Sequence, residues 1–261
     1  MASDIFEEIV RLRRDRVPAA LATVVATKGS TPAKVPTRML VTFQGRHSGT
    51  VGGGCVEADV IRAARDVIDT GQPKTLSFRL VGEEAERTGI ACGGIVDVMV
   101  EPLEEPRVVI VGAGHVGQAV CSLAANVGLE VTVVDDRPDF ANAEQFPDAN
   151  ELVVTELDDL GDAVKVGQRS AILIMTRGHA EDYAVLKWAL DTPAASIGVL
   201  GSKAKRKRFI DDLTSEGYDR ERIETVRMPI GLDLGAETVP EIAVSIIAQL
   251  IASRRGAHSD G

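Results

Sequence analysis

The sequence predicts an α/β protein: a small N-terminal α+β domain over residues 1–104, then a Rossmann-like doubly wound parallel-sheet domain over 105–261. Three observations predict it. The 261 residues are more than the ~150 of a typical domain and leave room for two hydrophobic cores. Apolar runs at 107–111, 131–134, 151–154, 171–175 and 196–200 alternate with stretches of helical period, the pattern of repeated strand-helix units around a parallel sheet. A turn of the form Gly-X-Gly-X-X-Gly follows the first of these runs.

The elements follow in order. Ser3 is placed to cap a first helix with Ile5, Phe6, Ile9 and Val10 on one face. Strands are expected at 19–26, 38–43 and 47–51, then a helix from Val56 with Val60, Ile61, Ala64, Val67 and Ile68 facing inward. Strands at 74–80 and 94–100 complete the α+β domain. In Glu101-Pro102-Leu103-Glu104-Glu105-Pro106 two prolines bracket acids, which reads as a linker with the boundary near 104. The second domain opens with the strand at 107–111 and a helix from Val116 to Ala125. It closes with a helix signalled by the capping box Thr238-Val239-Pro240-Glu241, lined by Ile242, Val244, Ile246, Ile247, Leu250 and Ile251, and stopped at Gly256.

Composition excludes several classes. With 44% hydrophobic and 26% charged residues the chain is neither disordered nor a membrane protein. Its 29 basic and 39 acidic residues give a net charge of −10, which repels polyanions, so no nucleic-acid partner is expected. Aromatics are only 3%, so a ligand must be held by backbone and polar groups. No run of ~18 apolar residues and no signal-peptide pattern is visible, and a cytoplasmic protein without membrane contact is expected. Cys55, Cys92 and Cys121 are too few for a disulfide framework and are expected to be reduced, with Cys121 in the core.

Several motifs bear on chemistry. Gly112-Ala113-Gly114-His115-Val116-Gly117 has the context of a dinucleotide fingerprint, with Gly112, Gly114 and Gly117 serving turn, phosphate approach and helix packing. Asp135, 23 positions after Gly112, is the acid due at the end of the second strand. The same glycines also suit a bare strand-to-helix turn with another ligand or none, and His115 either donates to a phosphate or merely caps. In Gly52-Gly53-Gly54-Cys55-Val56-Glu57 free amides and a helix start converge on the Cys55 thiol, a position that favours thiolate and makes Cys55 a candidate nucleophile or soft metal ligand. The bland reading is a small residue in a tight turn. Cys92, beside Gly93 and Gly94, either shares that site or is core.

Thr27-Lys28-Gly29-Ser30-Thr31-Pro32, with Arg38 downstream, reads as an anion loop or as a solvated turn. Thr176-Arg177-Gly178-His179 and Gly201-Ser202-Lys203 each follow a strand and so sit at the carboxyl edge of the sheet, where this architecture binds ligands. Lys203, Lys205, Arg206, Lys207 and Arg208 form either a solvated helix face or a docking or phosphate site.

Taken together, these segments resemble the XdhC/CoxI family, accessory factors of xanthine dehydrogenase and related molybdenum hydroxylases, over nearly the whole chain. The resemblance rests on Gly29-Ser30-Thr31-Pro32, Arg38-Met39-Leu40-Val41 and the 52–57 motif in the first domain. In the second it rests on the 112–117 motif, Asp135-Asp136-Arg137-Pro138, Thr176-Arg177-Gly178-His179, Gly201-Ser202-Lys203 and Pro229-Ile230-Gly231-Leu232-Asp233. Ala33 stands where the family usually has Arg, and Pro36-Thr37 replaces a Gly-Ala-like pair; Lys34 offers a point charge instead.

The resemblance implies a protein that binds the molybdenum cofactor in its molybdopterin form, guards it during sulfuration and inserts it into an apo molybdenum hydroxylase. It implies a cysteine desulfurase or other sulfur donor as a second partner. The implied cofactor residues are Gly29, Ser30, Arg38, Gly52, Gly53, Gly54, Cys55, Gly112, Gly114, His115, Gly117, Asp135, Arg177, His179, Gly201 and Ser202, with Cys55 at the metal and the Gly112 loop at the phosphate. No residue is assigned a role in turnover, and a homodimer is the default assembly. Two other readings stay open. One is an NAD(P)-dependent oxidoreductase using the Gly112 loop and Asp135, with Cys55 or His179 as acid-base group. The other is an interaction protein docking through residues 203–208.

Overall fold

A computed structural model describes residues 4–15, 17–80 and 93–255, apart from the side chains of His47 and Cys55. Ser3, Cys92, Gly256 and the Cys55 thiol lie outside the described residues. The chain divides into two compact units, Met1–Glu105 and Pro106–Gly261.

In the first unit, helix α1 (Ile5–Arg14) precedes strands β1 (Ala19–Lys28), β2 (Arg38–Thr42) and β3 (Gly45–Gly49). Helix α2 (Gly54–Thr70) and strands β4 (Lys74–Arg79) and β5 (Ile95–Pro102) follow. The strands form one antiparallel sheet in the order β3-β2-β1-β5-β4. The period-two alternation of a strand sends Met39 and Val41 to one face, with Ala20, Ala22, Val24 and the valines of β5, where Val56, Val60, Ala64 and Val67 of α2 cover them. Leu40 and Ala19 face the other way, against Leu12 of α1.

Asp4 caps α1, accepting from the Phe6 amide at 3.0 Å. The β2–β3 hairpin turns on Phe43 and Gln44, which starts β3 two residues earlier than its apolar pattern suggests and leaves Val51 in the core but outside the strand. Helix α2 likewise starts at Gly54 rather than Val56, where the glycine turn ends.

The second unit contains β6 (Arg107–Val111), α3 (His115–Asn126), β7 (Glu130–Asp135), β8 (Glu151–Val154) and the short helix α4 (Leu160–Ala163). Then come β9 (Ser170–Ile174), α5 (His179–Leu190), β10 (Ser196–Val199), α6 (Lys203–Ser215), α7 (Arg220–Glu224) and α8 (Val239–Arg255). The sheet is parallel, ordered β10-β9-β6-β7-β8, and Arg227 adds a parallel bridge to Gly198 at its outer margin. Every residue of β6 is buried, as expected of a central strand covered on both faces. One face packs against α5 and α6 through Val185, Leu186, Phe209 and Leu213. The other packs against α3 and α8 through Val120, Cys121, Ala243 and Ile246.

The sheets have short or charged margins. β8 is four residues long, β3 is Gly-Arg-His-Ser-Gly, and β4 carries Lys74 and Arg79 at its ends. The Glu241 half of the capping box forms, its carboxylate accepting from the Thr238 and Glu237 amides at 2.9 and 3.0 Å. Strand order reverses between β6 and β9, which opens a crevice at the carboxyl edge above Gly112. Among the described residues no helix is long and apolar enough to cross a membrane.

Candidate functional site

The three glycines of the 112–117 turn have three different neighbourhoods. A Cβ on Gly112, at φ +119°, would lie 2.2 Å from the Met175 carbonyl oxygen, so this residue lets β6 pass close to the end of β9. A Cβ on Gly117 would lie 2.4 Å from the Gly112 carbonyl, so the first turn of α3 packs directly on the loop. A Cβ on Gly114 would meet nothing within 4 Å. Turn and packing thus account for the outer two, and the open space at Gly114 is where an anion can approach main-chain amides at the start of α3. His115 is the first residue of that helix and is exposed.

Asp135 ends β7 and is 5% exposed. Its Oδ2 accepts from the Ala113 amide at 2.7 Å and from Arg137 Nη2 at 3.0 Å. Its Oδ1 accepts from Arg137 Nε at 2.8 Å and from the Arg137 amide at 3.1 Å. A carboxylate has about four acceptor sites, so Asp135 is saturated. Burial pushes its carboxyl up, but the hydrogen bonds from Arg137 and Ala113, with the guanidinium charge, outweigh it and hold the group below the ordinary carboxylate range. The Arg137 guanidinium also lies 3.8 Å from the centroid of the Phe140 ring.

Charge pairing continues outward. Arg177 Nη2 donates to Asp136 at 2.8 Å, and its Nε donates to Glu181 at 2.7 Å. Gly112, Asp135 and Arg177 therefore line one crevice, with Asp136, Arg137 and Thr176, and its volume is only about 10 Å³. That is room for roughly one water.

The two outer loops at this edge are tied from beneath. Lys205 forms an ion pair with Asp182, each side chain 5% exposed, and donates to the Leu200 carbonyl at 3.0 Å. Asp182 Oδ1 in turn accepts from the Thr176 amide at 3.0 Å and its hydroxyl at 2.7 Å. A Cβ on Gly201 would lie 2.7 Å from Lys205 Cδ, so this glycine leaves room for the lysine stem. Ser202 caps α6, accepting from the Lys205 amide at 3.2 Å, and His179 is the exposed first residue of α5. Neither His179, Gly201 nor Ser202 lines the small crevice. Lys205 and Asp182 were not legible as a pair, although spacing holds the clue. Lys205 shares a face with Phe209, and Asp182 with Val185, Leu186 and Ala189.

In the first unit, three turns meet. A Cβ on Gly94 would lie 2.3 Å from the Ser30 carbonyl, and one on Gly29 would lie 3.1 Å from the Gly93 carbonyl. A Cβ on Gly52 would lie 3.1 Å from Pro32. Gly52, Gly53 and Gly54 all have positive φ, and space around Gly53 is open. The Gly53 amide nevertheless donates to Glu57 Oε1 at 3.2 Å, which also takes the Thr50 hydroxyl. Glu57 thus partly neutralises the turn's pull on anions. Arg38 points elsewhere: its guanidinium lies 5.2 Å from the Phe6 ring centroid on α1. Cys55 is the second residue of α2.

Cys121 is buried in the core as expected, and burial, reinforced by Asp148, pushes its thiol up to about 11. Among the described residues no group of three or more His, Cys, Asp or Glu is placed to hold a metal.

Comparison with known proteins gives consistent matches. A family model for the XdhC Rossmann domain matches residues 108–250, and one for the XdhC and CoxI family matches residues 12–79. The chain is 32% identical over 256 residues to the uncharacterized protein YqeB of Escherichia coli strain K12, covering 97% of this chain but 47% of that protein. It thus spans about half the length of that relative. It is 23% identical to a probable xanthine dehydrogenase subunit of Bacillus subtilis strain 168, covering 94% of this chain and 96% of that one. It is 21% identical to the molybdenum cofactor insertion chaperone PaoD of Escherichia coli strain K12, covering 93% and 85%. A crystal structure described as a xanthine dehydrogenase from Bacillus halodurans shares the fold at a TM-score of 0.53 and 23% identity, covering 98% of this chain and 97% of that one.

Proposed function

The chain belongs to the XdhC and CoxI family, and from that premise we propose that it is an accessory protein that carries the molybdenum cofactor rather than a turnover enzyme. It guards the molybdopterin-form cofactor during sulfuration, receives sulfur from a donor such as a cysteine desulfurase, and inserts the product into an apo molybdenum hydroxylase of the xanthine dehydrogenase type. Support comes from the relatives named for xanthine dehydrogenase and for molybdenum cofactor insertion.

One observation weighs most between this reading and a nicotinamide oxidoreductase: Asp135 is saturated. An acid that reads a ribose must accept its hydroxyls, and Asp135 has no acceptor site left while Arg137 holds it. The open amides at Gly114 remain suited to a phosphate, which the cofactor carries at one end. Those amides and the start of α3 are assigned the phosphate, with Asp135 fixing the loop through Ala113. Cys55 is assigned the molybdenum as a soft ligand, which suits thiolate chemistry.

The test is to purify the protein after expression with molybdate and measure bound molybdenum, oxidised-pterin fluorescence and thermal shifts with NAD and NADP. Molybdenum with pterin is expected, together with reconstitution of the apo hydroxylase on mixing. Cys55→Ser is expected to lose most of the molybdenum with the fold intact. A nicotinamide-dependent shift without pterin would overturn the reading in favour of the oxidoreductase.

A further inference from the structure

Residues 203–208 are not used by the reading above. The structure divides them into three groups: Lys205 is buried against Asp182, Arg208 lies 3.6 Å from Asp212, and Lys203, Arg206 and Lys207 line a cavity of about 460 Å³. The spacing explains the division, because 203, 206, 207, 210 and 211 recur at i, i+3, i+4, i+7 and i+8 and so form one stripe of α6. Ile210 of that stripe, Met228 and Pro229 supply the apolar walls, and Asp211 lies at the side.

Among the described residues, none of the three cations forms an ion pair. Their placement opposes the stability of the helix. α6 has no acid in its first turn, where the macrodipole favours one, and it concentrates cations there instead. Like charges three and four residues apart repel as well. In a chain of net charge −10, a concave surface with three cations that form no ion pair, one carboxylate at its side and apolar walls is complementary to an anion with an apolar body.

We infer that this cavity is a binding site for an organic phosphate, its phosphate held by Lys203, Arg206 and Lys207 and its flat or apolar body lying on Ile210, Met228 and Pro229. The site is separate from the Gly112 crevice, shares no lining residue with it, and does not depend on the cofactor-carrier reading.

Methionine-methyl NMR on the full chain tests it, because Met228 lines this cavity while Met175 is buried in the core on the α3 and α8 face of the sheet and serves as an internal reference. Phenyl phosphate, the minimal probe, is expected to shift the Met228 signal, identified through Met228→Leu, and to leave Met175 in place. Inorganic phosphate is expected to bind more weakly, and benzyl alcohol not at all. Lys203→Gln/Arg206→Gln/Lys207→Gln is expected to weaken phenyl phosphate about tenfold or more. It is also expected to melt about 2–4 °C higher, because the charges it removes are unfavourable to the helix. The inference falls if Met228 is silent, if Met175 moves instead, or if the triple variant binds equally well. It also falls if a heptaglutamate peptide shifts Met228 and phenyl phosphate does not, which would make the stripe a contact for acidic protein surfaces.

Discussion

Replacing Lys205 by Met keeps most of the stem volume and removes the charge that Asp182 faces. Both side chains are 5% exposed, so solvent does not take over the role of the missing ammonium. Asp182 keeps its two hydrogen bonds from Thr176 but is left as a buried carboxylate without a counter-ion. Breaking one partner of such a pair costs about 3–5 kcal/mol. At about 2–4 °C per kcal/mol for a unit of this size, the melting temperature of the second unit should fall on the order of 10 °C. Urea unfolding followed by Trp188 fluorescence reports on that unit, since the only tryptophan lies on α5. Adding Asp182→Asn to Lys205→Met removes the stranded charge while leaving an acceptor for Thr176, and most of the loss should be recovered. A single variant within about 1 kcal/mol of the parent, or a double-mutant coupling below about 0.5 kcal/mol, would refute the dry ion pair.

Further outcomes follow from the same geometry. Gly114→Ala should fold within about 0.5 kcal/mol of the parent yet bind phosphate-bearing ligands more weakly, whereas Gly117→Ala, whose methyl meets the Gly112 carbonyl, should lose about 1–3 kcal/mol in urea melts. Because the folded-state pKa of Asp135 is depressed, its stabilising effect is present above the unfolded value near ~3.9 and is lost as pH falls through the folded value. Asp135→Asn should therefore be less stable at neutral pH and show a shallower acid limb in melts run from pH 6 down to pH 2. With its thiol pushed up to about 11, Cys121 in a Cys55→Ser/Cys92→Ser background should resist a thiol reagent at pH 8 until the protein is unfolded. If Arg137 is what shields Asp135 from ribose, Arg137→Ala should gain a thermal shift with NAD that the parent lacks.

Much of the fold was legible because the central parallel strands are buried on both faces and appear as unbroken apolar runs; β6 falls at 107–111, where its run places it, and the half-exposed border strand β8 also falls at 151–154, where its run places it. The hairpin at Phe43 and Gln44 was harder, since neither residue marks a turn and Val51 continues the apolar pattern past the strand. The short helices α4 and α7 have too few turns to show a period. In the candidate site the sequence located Gly112, Gly114, Gly117 and Asp135 but not what satisfies them. That Arg137 folds back onto Asp135, that Glu57 takes the Gly53 amide, and that Arg38 lies over Phe6 are side-chain choices among charged neighbours, which spacing alone does not rank. Lys205 is the clearest case: its charge suggested solvent, while its register with Phe209 placed it inside.

The margins of the two sheets carry a consequence for assembly. A four-residue strand at each border of the parallel sheet, one of them already bridged by Arg227, and at the borders of the antiparallel sheet a glycine-ended strand bearing Arg46 and a strand with a cation at each end, offer little template for an incoming extended segment. Growth of either sheet by recruiting a foreign chain is therefore discouraged, as is self-templated fibre formation. Meetings with other macromolecules fall instead to the helices and the turns between them.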